Sequence, residues 1–277
     1  MIQDIFPHRM DITYKPDRKA SGSDKAVYFT DEGVLFGTEL PSVSELGLTG
    51  KDLTYLFSID DLSFFLPEDE LLTYPDGFSC RRIRELRYSG EVSKEELFAV
   101  YTAKQLWSWY RNNCFCGRCG QKTGRSLKER AITCDHCGNI IYPRVVPAVI
   151  VGVIDRENDK LLVTKYNGRS IGYYALVAGF TEIGETLEQT VEREVMEEAG
   201  LKVKNIRYYR SQPWGIADDL LAGFFCEVDG STEIHMDESE LSVAEWKSRE
   251  EVELQPDELS LTNEMMTVFK DGKVPKL

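Results

Sequence analysis

Apolar positions along the chain fall into distinct textures. Up to about Val92, short apolar runs alternate with turn residues. Ala26-Val27-Tyr28-Phe29, Gly33-Val34-Leu35-Phe36 and Leu53-Thr54-Tyr55-Leu56-Phe57 read as strands of a mixed α/β domain. Ser93, with Glu96 three positions later, has the form of a capping box and predicts a helix carrying Leu97, Tyr101, Leu106 and Trp109. Val145 to Ile154 is almost wholly apolar, the pattern of a strand buried on both faces. Leu161-Leu162-Val163, Tyr173 to Val177, Asn205 to Tyr209 and Leu220 to Val228 read as further strands. Helices are predicted from Thr186 and over Leu261 to Phe269, the second closing at Asp271-Gly272. Sheet segments around one well-capped helix predict an α/β sandwich in the C-terminal half. The whole is an α+β multidomain chain.

The 277 residues exceed one ordinary domain, and 42% hydrophobic content supports a sizeable core. Lys and Arg total 33 against 47 Asp and Glu, a formal net charge of -14. So acidic a surface argues against DNA and against anionic membranes as partners. No apolar run approaches a membrane span, and Met1 to Asp11 has neither a basic n-region nor an apolar h-region. The expectation is a cytoplasmic protein. The end, Val274-Pro275-Lys276-Leu277, bears only a faint likeness to a peroxisomal tail.

Five of the seven cysteines fall between Cys114 and Cys137. Cys116-x-x-Cys119 and Cys134-x-x-Cys137 each suit a tight knuckle, and together they can close the tetrahedral four-thiolate shell that Zn²⁺ prefers. Cys114 is the alternative to Cys116, although the spacing favours Cys116. One structural zinc per chain is expected. Arg111 to Arg144 carries seven Lys or Arg against two Asp or Glu, a net of +5 that fits a solvated loop or a guide for an anionic substrate or RNA.

The most informative stretch runs from Gly179 to Leu201. Thr186 and Gln189 can form a capping box, and Gly200 supplies a stop. At ~100° per residue, Leu187, Val191 and Val195 make an apolar stripe. Glu194 and Glu198 project within ~20° of Leu187, and Glu197 lies ~80° to the side. The inward face therefore turns from apolar to carboxylate in its last turns. Three carboxylates at that spacing repel one another unless a counter-charge is supplied, and a hard divalent cation such as Mg²⁺ or Mn²⁺ supplies it.

The same stretch is similar to the Nudix box, G-x5-E-x7-R-E-U-x-E-E-x-G-U with U aliphatic. Gly179, Glu185, Arg193, Glu194, Val195, Glu197, Glu198, Gly200 and Leu201 fill its fixed positions in order. The resemblance implies an α/β/α sandwich, hydrolysis of a nucleoside diphosphate linked to a further group, and metal held by Glu194, Glu197 and Glu198. It also implies that Glu185 and Arg193 brace the loop and helix.

Within that superfamily the chain resembles the NADH pyrophosphatases. A four-cysteine ribbon precedes the Nudix domain, Tyr142-Pro143-Arg144 leads into Pro147-Ala148-Val149-Ile150, and Ser211-Gln212-Pro213-Trp214 matches the start of the family signature. The chain then departs from that signature with Gly215-Ile216-Ala217-Asp218-Asp219, in a segment linked to dinucleotide recognition. The expected domains are 1–110, a zinc ribbon at 111–143 and a Nudix domain at 144–277.

By this resemblance Phe180 and Tyr142 stack on adenine, Ile150 lines the same pocket, and Gln212 and Trp214 belong to the substrate site, Trp214 across a homodimer interface. Glu240 is a loop ligand or base, with Glu238 the alternative one register away, and Glu198 or Glu240 takes the proton. The implied reaction is metal-dependent hydrolysis of NAD(H) to AMP and nicotinamide mononucleotide. ADP-ribose, another dinucleotide, the NAD cap of RNA, or a non-catalytic sensor role are the alternatives.

Overall fold

The computed structural model describes residues 1–168 and 172–275; the end of the C-terminal tail lies outside them. The chain divides into two compact units. One contains Ile2–Arg144 and Trp214–Asp218; the other contains Met1, Val145–Pro213 and the chain from Asp219 to the C-terminus.

The first unit begins with β1 (Met10–Asp11), β2 (Lys25–Ala26), β3 (Val34–Phe36), β4 (Leu53–Ile59), β5 (Leu62–Pro67) and β6 (Ser79–Arg81). Helices α1 (Ile83–Ser89) and α2 (Lys94–Asn112) follow, then β7 (Gly124–Arg125), β8 (Ile132–Thr133) and β9 (Ile140–Ile141). Four strands form a sheet in the order β1-β4-β5-β2, β3 pairs with β6, and β7-β8-β9 form the small sheet of the cysteine module. The expected strand over Ala26 to Phe29 shrinks to Lys25–Ala26. Beyond it Phe29 makes only a single bridge to Val34, while Val27 N–H bonds Phe65. The capping box at α2 is half formed. Ser93 caps the Glu96 N–H, but the Glu96 carboxylate accepts the Leu40 N–H at 2.6 Å instead of returning to the helix.

The second unit holds β10 (Val146–Asp155), β11 (Lys160–Tyr166), β12 (Val177–Phe180), α3 (Leu187–Ala199), β13 (Val203–Trp214), β14 (Asp219–Val228), β15 (Leu241–Ser248) and α4 (Leu261–Lys270). Its mixed sheet runs β13-β14-β10-β11-β15, with β12 also paired to β10. Alternation along β10 divides the core. Val149, Val151 and Val153 face Val191 and Val195 of α3, whereas Ile150 and Ile154 face Met265 and Phe269 of α4. Helices on both faces make the α/β/α sandwich.

The expected strand at Tyr173 to Val177 lies later, at Val177–Phe180. One edge of β10 is shared: Ala148 to Val151 pair with β12, and Ile154–Asp155 pair with β11. Among the described residues just upstream of Val177, Ala175 bridges, to Thr164. Among the described residues no helix is long and apolar enough to cross a membrane.

Candidate functional site

Local sequence sets α3 where the site needs it. Thr186 and Gln189 close a reciprocal capping box at its start, and Gly200 ends it in the left-handed conformation, φ 68°. A side chain at Gly200 would also meet Cβ of His235 at 2.7 Å, so glycine lets the following loop lie against the helix end. Gly179 of β12 answers to a different constraint. A Cβ there would sit 1.9 Å from the Glu194 carboxyl carbon, so the bare backbone makes room for that carboxylate.

Glu194 and Glu198 point inward, at 9% and 1% exposure. The Glu197 side chain stays 58% exposed on the flank. Burial raises Glu194 above the ordinary carboxylate value, and burial with the negative fields of Glu194 and Glu240 pushes Glu198 up to about 8. The Tyr166 hydroxyl at 3.0 and 3.1 Å and the Ala178 N–H work the other way, as donors to Glu198.

Arg193 uses all five of its donors on this cluster. Nε and Nη2 grip Glu185 at 2.6 and 2.9 Å, Nη2 also reaches the Phe180 carbonyl at 2.9 Å, and Nη1 bonds Glu194 at 2.7 Å and Glu197 at 3.0 Å. Glu185 further accepts the Glu182 N–H and the Thr190 hydroxyl, tying loop to helix. Its carboxyl is held down at about 2, chiefly by Arg193.

Glu240 sits on a loop anchored at both sides of the site. Asn167, just past β11, donates its N–H to the Glu240 carbonyl at 2.8 Å and its side-chain amide to the Glu238 carbonyl at 2.9 Å. At the end of α3, the His235 and Asp237 N–H groups bond the carbonyls of Ala199 and Glu198. Tyr166 and Asn167 were missed by sequence reasoning. Strand alternation from Leu162 through Thr164 to Tyr166 is the signal that would have placed Tyr166 on the α3 face.

The donor set is all oxygen, with two carboxylates buried and strongly in need of positive charge, so it fits a hard divalent cation. The carboxylates are not closed into a cage. Among the described residues, only the four cysteines bring three or more metal-ligating atoms within 4.8 Å of one another. Arg193 draws Glu194 and Glu197 together from outside through one shared nitrogen.

The expected substrate residues occupy several environments. Phe180 is 54% exposed and Tyr142 57% exposed, so both rings present a face rather than packing in a core; the Tyr142 hydroxyl bonds Glu129. Ile150 is buried on the α4 side of the sheet. Gln212 is fully buried, with its amide bonded to Leu259 and Leu261 at 2.7 and 2.6 Å, which turns it toward the start of α4. Trp214 packs edge-on against Tyr101, centroids 5.3 Å apart, with the Arg87 guanidinium 5.1 Å from its ring.

In the cysteine module, the knuckles repeat one pattern. Gly120 N–H bonds the Cys116 carbonyl as Gly138 N–H bonds that of Cys134, and Cys116 and Cys134 N–H groups return to Gln121 and Asn139. Sγ atoms of Cys116 and Cys137 lie 3.6 Å apart and those of Cys119 and Cys134 3.5 Å apart, near the ~3.8 Å edge of a zinc–thiolate tetrahedron. Cys114 stands outside this cluster, exposed, with its thiol toward the Tyr110 and Arg111 carbonyls.

Comparison with known proteins follows the same division. Residues 144–267 match the NUDIX domain, and residues 111–142 match the NADH pyrophosphatase zinc ribbon domain. The chain is similar to proteins named NAD-capped RNA hydrolase NudC from Escherichia coli O1:K1 / APEC and from strain SMS-3-5 / SECEC. Each is 43% identical over 152 residues, which is 55% of this chain and 58% of the relative. The match thus spans little more than half the length of those relatives. A solved NUDIX hydrolase from Nitrosomonas europaea aligns with 57% of this chain and 90% of its own, at 23% identity and a TM-score of 0.46. With the box filled position by position and a ribbon of the matching kind before it, the chain carries a NUDIX domain preceded by a zinc ribbon domain of the NADH pyrophosphatase kind.

Proposed function

We propose that this protein hydrolyses the pyrophosphate bond of NAD(H), releasing AMP and nicotinamide mononucleotide. The observation that carries the reading is the inward carboxylate pair of α3, Glu194 and Glu198, at 9% and 1% exposure and both raised from the ordinary carboxylate value, chiefly by burial. Glu194, Glu197 and Glu198, with Glu240 from the facing loop, would hold Mg²⁺ or Mn²⁺. When bound, such a cation neutralises pyrophosphate charge and lowers the pKa of water.

The protein's own groups account for the rest. Water adds its oxygen to one phosphorus, the bridging P–O bond breaks, and Glu198 or Glu240 accepts the proton. Tyr166 fixes the Glu198 carboxylate, while Arg193 holds the end of β12 at Phe180 and, with Glu185, the loop that follows it. The exposed ring of Phe180 suits a flat base, and the Tyr142 ring of the other unit is exposed as well. The four-thiolate module takes a structural Zn²⁺.

A second reading keeps the same bond and puts the NAD at the 5′ end of an RNA. The name of the Escherichia coli relatives, NAD-capped RNA hydrolase, favours it. Parallel assays on NADH, NAD⁺, ADP-ribose and NAD-capped RNA, with products identified by mass, separate the two. AMP from NADH supports the first reading. Cleavage confined to ADP-ribose removes both. Preferential decapping, falling steeply with salt, selects the second.

A further inference from the structure

We propose that the N-terminal unit carries a second ligand site, a cleft walled by Phe29, Trp107, Lys104, Arg111 and Arg82 that takes a nucleoside phosphate. The cavity measures about 520 Å³, within the size range of small-molecule sites, and no residue of the Nudix unit lines it.

Three cations meet two aromatic rings there. Phe29 and Trp107 lie 5.3 Å apart, centroid to centroid. The Lys104 ammonium is 4.0 Å from the Trp107 ring and the Arg111 guanidinium 5.0 Å from it. Arg111 is already paired with Asp31 at 2.6 Å. Lys104 is not: its hydrogen bond goes to the Ser108 hydroxyl at 3.2 Å, and partial burial lowers its pKa. A half-buried ammonium without a carboxylate in contact is a place where an anion gains more than it would in water. Arg82 adds a second charge at the exposed rim.

The lining also decides the class of anion. Bare phosphate needs cations and donors only, whereas here two rings and two carboxylates, Glu32 and the Arg111-paired Asp31, share the wall. The part-exposed Trp107 ring, backed by the buried Phe29, supplies an aromatic surface for a base, Lys104 and Arg82 meet phosphate, and a carboxylate accepts from ribose hydroxyls or an exocyclic amine. A free mononucleotide and one unpaired nucleotide of an RNA strand offer the same chemistry.

Photolabelling of the full chain with 8-azidoadenosine 5′-monophosphate, in chelator and followed by peptide mapping, tests this site apart from the glutamate cluster. Label is expected on peptides containing Phe29 or Trp107, displaced by AMP but not by equimolar inorganic phosphate. It should fall at least tenfold in Arg82→Glu and in Lys104→Glu. Arg82 is exposed, so that variant keeps the test valid should Lys104→Glu fail to fold. Displacement by a short single-stranded oligoadenylate at lower concentration than AMP assigns the site to RNA; the reverse order assigns it to the free nucleotide. Label absent from these peptides, or undiminished in folded Arg82→Glu, overturns the proposal.

Discussion

The hydroxyl of Tyr166, at the end of β11, reaches both carboxylate oxygens of Glu198, at 3.0 and 3.1 Å. It holds the most deeply buried acid of α3 from the sheet side, leaving the helix free to present Glu194 and Glu197. Tyr166→Phe removes this donor and leaves the ring in place. Turnover is expected to fall roughly tenfold, as for one lost hydrogen bond to a charged group, with little change in KM for the dinucleotide. Steady-state kinetics on the folded variant check it; an unchanged kcat would make the contact purely structural.

Burial pushes Glu198 up to about 8 from an ordinary value of 4.5, so the folded metal-free protein holds a proton there that the unfolded chain releases. Between about 4.5 and 8 the folded state therefore binds more protons, and stability from this group is lost as pH rises through that window. Thermal unfolding in chelator should show a declining Tm from pH 5 to 8 that is shallower in Glu198→Gln. Added Mg²⁺ should raise Tm more at pH 8 than at pH 6, because less proton must be displaced. Equal Mg²⁺ shifts at both pH values would contradict the assignment.

Arg193 joins Glu185, the Phe180 carbonyl and two carboxylates of the box. Arg193→Ala would remove the shared partner of Glu185 and Glu194 and lower stability. It should also uncouple the loop from Thr181 to Glu185 from the helix, reducing turnover more than Lys substitution does. Denaturant unfolding and kinetics on both variants check the order.

Four thiols within 4.8 Å predict one zinc per chain. Metal analysis of the purified protein should return it, and Cys134→Ser should lose it together with thermal stability. Cys114→Ser, outside the cluster, should keep it. Loss of zinc on changing Cys114 would reverse that choice.

Legibility in the sequence followed the range of the interactions. The position and inward face of α3 were readable, because a cap, a helical period and a terminal glycine are all local. The C-x-x-C knuckles were readable for the same reason. Tyr166 was not, since its partner lies 32 residues away and only the pairing of β10 with β11 and β12 brings the strands under the helix. Glu96 likewise satisfied a local motif, yet a distant N–H at Leu40 won its carboxylate. Gln212 sat in a family-like string while its buried amide serves the start of α4.

Glu198 offers the most direct measurement. Turnover of NADH in saturating Mg²⁺ or Mn²⁺, compared between wild type and Glu198→Gln of matched Tm, should show AMP release by the former. In the variant it should drop about a hundredfold or more. AMP released by the folded variant at the wild-type rate would contradict hydrolysis at this cluster.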